Sequence, residues 1–193
     1  MYAIVKDGSI TATGNIKQLF PNTSFAGGTA NADFKTAEGV MDIVQGERKD
    51  QKYYYVTQGD IALVDGVPTQ QYTNTAKRLN DEDAKDDDGN QLYVQVWDVD
   101  KEEMVDSSEK LVNQGLKTVM TAQVKDIANK LLNSTDWMVI RKYERDVAIP
   151  SATATYRAAV ITECARLEGA ISSASDVDAL KTVMQGQNWP TED

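Results

Sequence analysis

Histidine is absent from the 193-residue chain, and there is one cysteine, Cys164. The first absence removes the commonest general base, the commonest metal ligand and every Ser-His or Cys-His pair. Carboxylates and lysines remain, but no arrangement of them reads as a catalytic motif, and the sequence predicts a protein that is not an enzyme and takes no cofactor. One cysteine excludes an intramolecular disulfide, which fits synthesis in a reducing cytosol. Apolar runs are short, well below the ~18 residues of a membrane span. The N-terminus, MYAIVKDGSI, lacks the charged-then-apolar pattern of a signal peptide. The expectation is a soluble chain.

Basic charge is also scarce. Against 30 acidic side chains stand 20 basic ones, a net charge of −10. Residues 1–80 carry 8 of each sign, residues 81–100 carry 8 acidic and 1 basic, and residues 101–193 carry 14 acidic and 11 basic. With the excess concentrated at 81–100 and no basic cluster anywhere, neither nucleic acid nor an anionic membrane is an expected partner.

The chain is long enough to bury a core without covalent staples. Three Asp-Gly pairs, Asp7-Gly8, Asp65-Gly66 and Asp88-Gly89, punctuate the first half. Between apolar-rich runs this dipeptide predicts a hairpin, because the turn needs positive φ. AIVK and ITAT flank the first and DIALV and VPTQQY the second, with Pro68 at an edge or near a strand start. The third feeds LYVQVWDV, of strand composition. NIKQLF reads as a helical turn stopped by Pro21, SFAGGTAN as a loop, and GVMDIVQ and KYYYVTQ as further strands.

The second half changes period. From Glu102 to Asn133 there is no proline and one glycine. Leu116, Met120, Val124, Ile127 and Leu131 fall on one face of a helix. That stripe can pack on the C-terminal helices or pair with a copy of itself. Glu102 and Glu103 are placed in the first turn of this helix, where carboxylates suit the dipole. A further helix covers 151–171 with Tyr156, Val160, Cys164, Leu167 and Ile171 as its apolar stripe. Ser175, with Asp178 three residues on, predicts the cap of a last short helix. Trp189 is the side chain able to dock the tail GQNWPTED. The fold class is α+β: a strand-rich domain at 1–80, an acidic connector and strand at 81–100, and a helical domain at 101–193 with one long helix and a helix–corner–helix module.

Several local features invite chemistry. DEDAKDDDGNQ suggests calcium, but placing Gly89 at the sixth position of an EF-hand loop puts Ala84 at the first and Gln95 at the twelfth, so both end ligands fail. The stretch reads as a solvated linker with a turn. Cys164 lies on an apolar stripe with no activating base and reads as a small hydrophobe. Tyr53, Tyr54 and Tyr55 read as packing residues or as a sugar-binding platform.

LLNSTDWMVIRKYERDVAIP, residues 131–150, stalls on four polar residues before restarting at Trp137. Asn133, Ser134, Thr135 and Asp136 compete for backbone hydrogen bonds, which ends one helix and opens the next. Trp137, Ile140 and Glu144 line one side of a short second helix, with Arg141 placed to stack on Trp137. Ile149-Pro150 forces an extended corner. Trp137 is expected at the packing centre.

LLNSTDW, then RKYE, IP and YRAAV, resembles the helical module of bacteriophage tail assembly chaperone and tail-fibre assembly proteins. The matching residues are Leu131, Leu132, Thr135, Asp136, Trp137, Pro150, Tyr156 and Arg157. MYAIVKDGSI and QLFPNTSF resemble the front domain of small phage tail-region proteins. The resemblance implies a virion protein of the tail, a fibre- or baseplate-associated adaptor assembled in the host cytoplasm, homo-oligomeric in the particle, with other tail or fibre proteins as partners. The alternative it implies is an assembly chaperone absent from the mature particle. Trp137, Ile140, Arg141, Tyr156, Arg157 and the long-helix stripe are then the interaction or module-core residues.

Overall fold

A computed structural model describes residues 1–25 and 28–191. Of the SFAGGTAN stretch read as a loop, Ala26 and Gly27 lie outside the described residues, as do the last two residues of the tail. The chain divides into two units, Met1–Ala76 and Lys77–Asp193.

In the first unit, β1 (Tyr2–Lys6) and β2 (Ser9–Gly14) pair antiparallel, and β1 also pairs with β3 (Val40–Asp42). Asp7 and Gly8 both take positive φ, as the tight hairpin turn requires. The helical turn α1 (Ile16–Leu19) is fixed by a reciprocal capping box between Asn15 and Gln18. A second helix, α2 (Ala32–Glu38), was not expected. Its boundary signals are nonetheless written in the chain: Asn31 caps the Phe34 N–H, and Gly39 ends the helix at φ 66°. A Cβ on Gly39 would also lie 2.4 Å from the Val5 carbonyl oxygen. Ile16, Ala30 and Val40 form a small core, closed by Tyr2, Ile4, Phe20, Phe25 and Phe34. Phe34 receives both Phe20 and Phe25 edge-on at 5.0 Å.

The second sheet of this unit has the order β4-β6-β5, from β4 (Val44–Gln45), β5 (Tyr54–Val64) and β6 (Val67–Ala76). Asp65-Gly66 turns the β5–β6 hairpin, and Pro68 stands second in β6, near the strand start. The ladder is irregular between Gln58 and Ile61. There the buried Gln70 side chain donates to the Gly59 carbonyl at 2.6 Å and accepts from Gln58 at 2.9 Å, satisfying groups that the ladder leaves open.

The second unit corrects two expectations. The helix predicted from Glu102 does not begin there. Glu103–Lys110 is a strand, β9, paired antiparallel with β8 (Tyr93–Asp98). Asp98 turns this hairpin by accepting the N–H groups of Asp100 and Lys101, and Glu102 sits at φ 55°. Residues 101–113, placed in the helical domain by sequence, therefore belong largely to strands. The acidic segment is exposed from Lys85 to Asn90 and turns there as expected, with Gly89 at φ 86° and Lys85 bridged to Gln91, but its first residues are more than a linker. Its β7 (Glu82–Asp83) pairs with β10 (Val112–Asn113), and Ala84 is buried. Asp81 accepts the Gly115 N–H at 2.7 Å and the Thr118 hydroxyl at 2.9 Å, which caps the long helix from a distance. These bonds hold its carboxyl below the usual range, the Gly115 N–H contributing most.

The long helix is α3 (Leu116–Asn133), followed by α4 (Asp136–Arg145), α5 (Ser151–Ser173) and α6 (Val177–Gln185). Leu116, Met120, Val124 and Ala128 are buried on α3, with Ile127 and Leu131 half-buried beside them. The α3 stripe is thus used inside the chain. α3 packs on α5, and α5 on α6. Lys117 donates to the Ser172 carbonyl at 2.8 Å and Lys125 meets Glu168 at 3.3 Å, so α3 and α5 run antiparallel. Asp176, not Ser175, caps α6 by accepting the Ala179 N–H at 2.8 Å. Among the described residues no helix is long and apolar enough to cross a membrane.

Candidate functional site

The polar break at residues 133–136 puts two helix ends side by side. At the end of α3 the last carbonyls run out of intrahelical donors, and the Leu132 carbonyl takes the Thr135 N–H at 3.0 Å. Two consecutive side chains of α5 supply donors. The Tyr156 hydroxyl donates to the Leu131 carbonyl at 3.3 Å, and Arg157 donates to the Leu132 carbonyl at 3.0 Å. The same Arg157 nitrogen donates to the Thr135 hydroxyl at 2.6 Å, while that hydroxyl donates to the Leu132 carbonyl at 3.0 Å. The other terminal nitrogen of Arg157 lies 2.9 Å from the Asp136 carboxylate in the first turn of α4. A cation at a helix C-terminus and an anion at a helix N-terminus are each favoured by the dipole. One guanidinium serves both ends.

This node is the physical reason for the break. Thr135 is 2% exposed and occupies the packing centre. Trp137, expected there, is 51% exposed and Ile140 57% exposed. The reason is that the inward position between the helix ends must serve a carbonyl, a hydroxyl and a carboxylate at once, which a guanidinium with five N–H donors can do and the single N–H of an indole cannot. The stacking of Arg141 on Trp137 is present, with the guanidinium carbon 4.7 Å from the ring centroid.

The consequence is an inverted helix. No residue of α4 is fully buried. Trp137, Val139, Ile140 and Tyr143 are exposed, Tyr143 at 93%, and Val147 continues them beyond the helix end. At 100° per residue Trp137, Ile140, Tyr143 and Val139 share one broad face. Single exposed apolar residues need no explanation, but a contiguous group on one face marks a contact surface. Asp136 and Glu144 fall on the same arc, and Arg141 and Lys142 flank it.

Of the sequence-chosen residues, Tyr156, Arg157 and Leu131 meet at the node. Trp137, Ile140 and Arg141 belong to the exposed face and its edge. Leu116, Met120 and Val124 are buried on α3, the helix that packs on α5, with Ile127 half-buried beside them. Sequence reasoning missed Thr135 as a buried residue and missed Glu163 altogether. Glu163 lies on the buried side of α5, where it accepts two bonds from Arg166 at 2.7 Å and the Asn188 N–H at 2.7 Å. Arg166 also donates to the Gly186 carbonyl at 3.0 Å. Trp189 packs against the cluster of Ala128, Tyr156 and Val160, so the tail is strapped to the back of the node. The Arg166 bonds hold the Glu163 carboxyl below its ordinary value. The signal for this pair is its i, i+3 spacing, which was readable.

The tyrosine platform is not present. Tyr53 and Tyr54 are 4% and 5% exposed, which leaves Tyr55 alone on the surface. The Cys164 thiol is pushed up by burial and donates to Glu168 at 3.3 Å. Among the described residues no three acidic or cysteine side chains gather as a metal site. No family model, curated protein or solved structure matches the chain.

Proposed function

We propose that the chain is a non-enzymatic protein of a bacteriophage tail, an adaptor whose α4 face docks on another tail or fibre protein. The observation that carries this reading is the inverted helix. The stretch that resembles tail assembly modules is the stretch whose apolar side chains, Trp137, Ile140 and Tyr143, face outward. Its polar members, Thr135, Asp136 and Arg157, are spent on holding that helix in place. A rigid mount under an exposed aromatic face is what a docking surface needs, because little ordering remains to oppose binding. Homo-oligomerisation in the particle belongs to the same proposal and uses surfaces other than the α3 stripe.

The same face also suits an assembly chaperone, which holds a client and then leaves. Quantitative mass spectrometry of purified particles, set against a tail protein of known copy number, separates the two. A fixed copy number supports the adaptor. Absence from particles with abundance in the infected-cell lysate supports the chaperone.

A further inference from the structure

The β8–β9 hairpin lies outside both the Arg157 node and the α4 face. Trp97 stands opposite Met104 on one face of the ribbon, and Val96 opposite Val105 on the other. Trp97 is 58% exposed, Met104 54%, and Val99 in the turn 77%. Among the described residues the two strands pair only with each other, which leaves each a second edge outside the ladder. A two-stranded ribbon covers neither of its own faces, and an open, apolar edge invites a further strand.

Charge selects the occupant. Residues 81–110 hold twelve acidic and three basic side chains. Near the turn stand Asp98, Asp100, Glu102, Glu103 and Asp106, against Lys101 alone, and Lys101 lies 3.6 Å from Asp98. Lys110 is engaged by Asp83 at 2.5 Å. A second copy would bring acid against acid across the same edge, which repels. A basic segment would gain at each of these carboxylates.

We propose that the β8–β9 hairpin binds a basic, apolar segment of another protein as an added strand. Apolar side chains of the segment cover Trp97 and Met104, and its lysines or arginines, on the opposite face, lie along Asp98, Asp100 and Glu103. Main-chain pairing supplies affinity and the alternating side chains supply selectivity. The assignment stands on the hairpin alone and does not depend on the tail reading.

The test is a titration of the full ¹⁵N-labelled chain with a synthetic peptide of alternating valine and lysine, followed through the indole N–H of Trp97. The expected result is a saturable shift of Trp97 with the signals of Trp137 and Trp189 unmoved, weakened by added salt. The double substitution Trp97→Ala/Met104→Ala, read through backbone amides, lowers affinity about tenfold. The surface substitution Glu103→Lys lowers it as well and serves if the first variant is unstable. The same peptide with glutamate for lysine leaves Trp97 unmoved. Equal binding of both peptides, or no shift of Trp97 with the lysine peptide up to ~1 mM, overturns the proposal. Concentration-dependent dimers that Trp97→Ala dissociates would also overturn it, by making a second copy the occupant.

Discussion

The Arg157 guanidinium lies 2.9 Å from the Asp136 carboxylate, while its other terminal nitrogen holds the last turn of the preceding helix through the Leu132 carbonyl. One side chain of α5 thus fixes the angle at which α4 leaves α3. The exposed apolar face of α4 depends on that angle.

Arg157→Ala should therefore destabilise the helical unit by about 1–3 kcal/mol, since it removes the charge-assisted bonds to the Leu132 carbonyl, the buried Thr135 hydroxyl and the Asp136 carboxylate. Arg157→Lys should recover part of this, because a point charge cannot bond the Leu132 carbonyl, Thr135 and Asp136 together. Urea midpoints of the two variants check the order. Equal stability of wild type and Arg157→Ala contradicts the node.

Trp137→Ala should change stability by less than about 1 kcal/mol, the scale of an exposed cation–π contact. A buried tryptophan would cost about 3–5 kcal/mol. Thermal melting distinguishes the two, and the larger figure would falsify the placement of Trp137 on the surface.

Asp7-Gly8 and Asp65-Gly66 announced their hairpins because a turn needs only local geometry. The β9 strand, EMVDSSEK, reads as part of a helix because its two apolar residues, Met104 and Val105, are adjacent and show no alternation. Trp137 was assigned inward because composition tells that a helix has an apolar face, not which way it turns. Arg157 takes the inner position through carbonyls of α3 that no local pattern in α5 reveals. Gly39 and Asn31, by contrast, were legible boundary signals for α2 that went unread.

Glu163 gives a pH prediction. Its folded carboxyl titrates below the ordinary glutamate value, chiefly through the Arg166 bonds, so the ionised form is the stabilising one. Its contribution is fully present above the ordinary value of about 4.3 and is lost as pH falls through the depressed value. The stability difference between wild type and Glu163→Gln should stay constant from neutral pH to about pH 5 and shrink below that. Near neutrality Glu163→Gln should also loosen the tail, read as faster proteolysis around Asn188 and Trp189. A difference independent of pH down to acid denaturation speaks against an ionised Glu163 in the fold.

Gly115→Ala tests the cap that the acidic segment places on α3. The φ at this position is −83°, which alanine accepts, so backbone strain is not at issue. A Cβ there would lie 2.4 Å from the backbone of Asn80 and from the Leu79 carbonyl oxygen. Displacing that backbone should cost about 1–3 kcal/mol and raise amide exchange in the first turn of α3. Hydrogen exchange equal to wild type in that turn would show that the segment does not lie against it.

The measurement closest to the central claim is particle incorporation of the variant Trp137→Ser/Ile140→Ser/Tyr143→Ser, supplied in place of the wild-type chain. All three side chains are exposed, so the variant should keep its melting temperature within a few degrees. If the α4 face is the docking surface, its copy number in purified particles should fall at least about tenfold while the chain accumulates, folded, in the lysate. Normal incorporation of the folded variant would contradict the account.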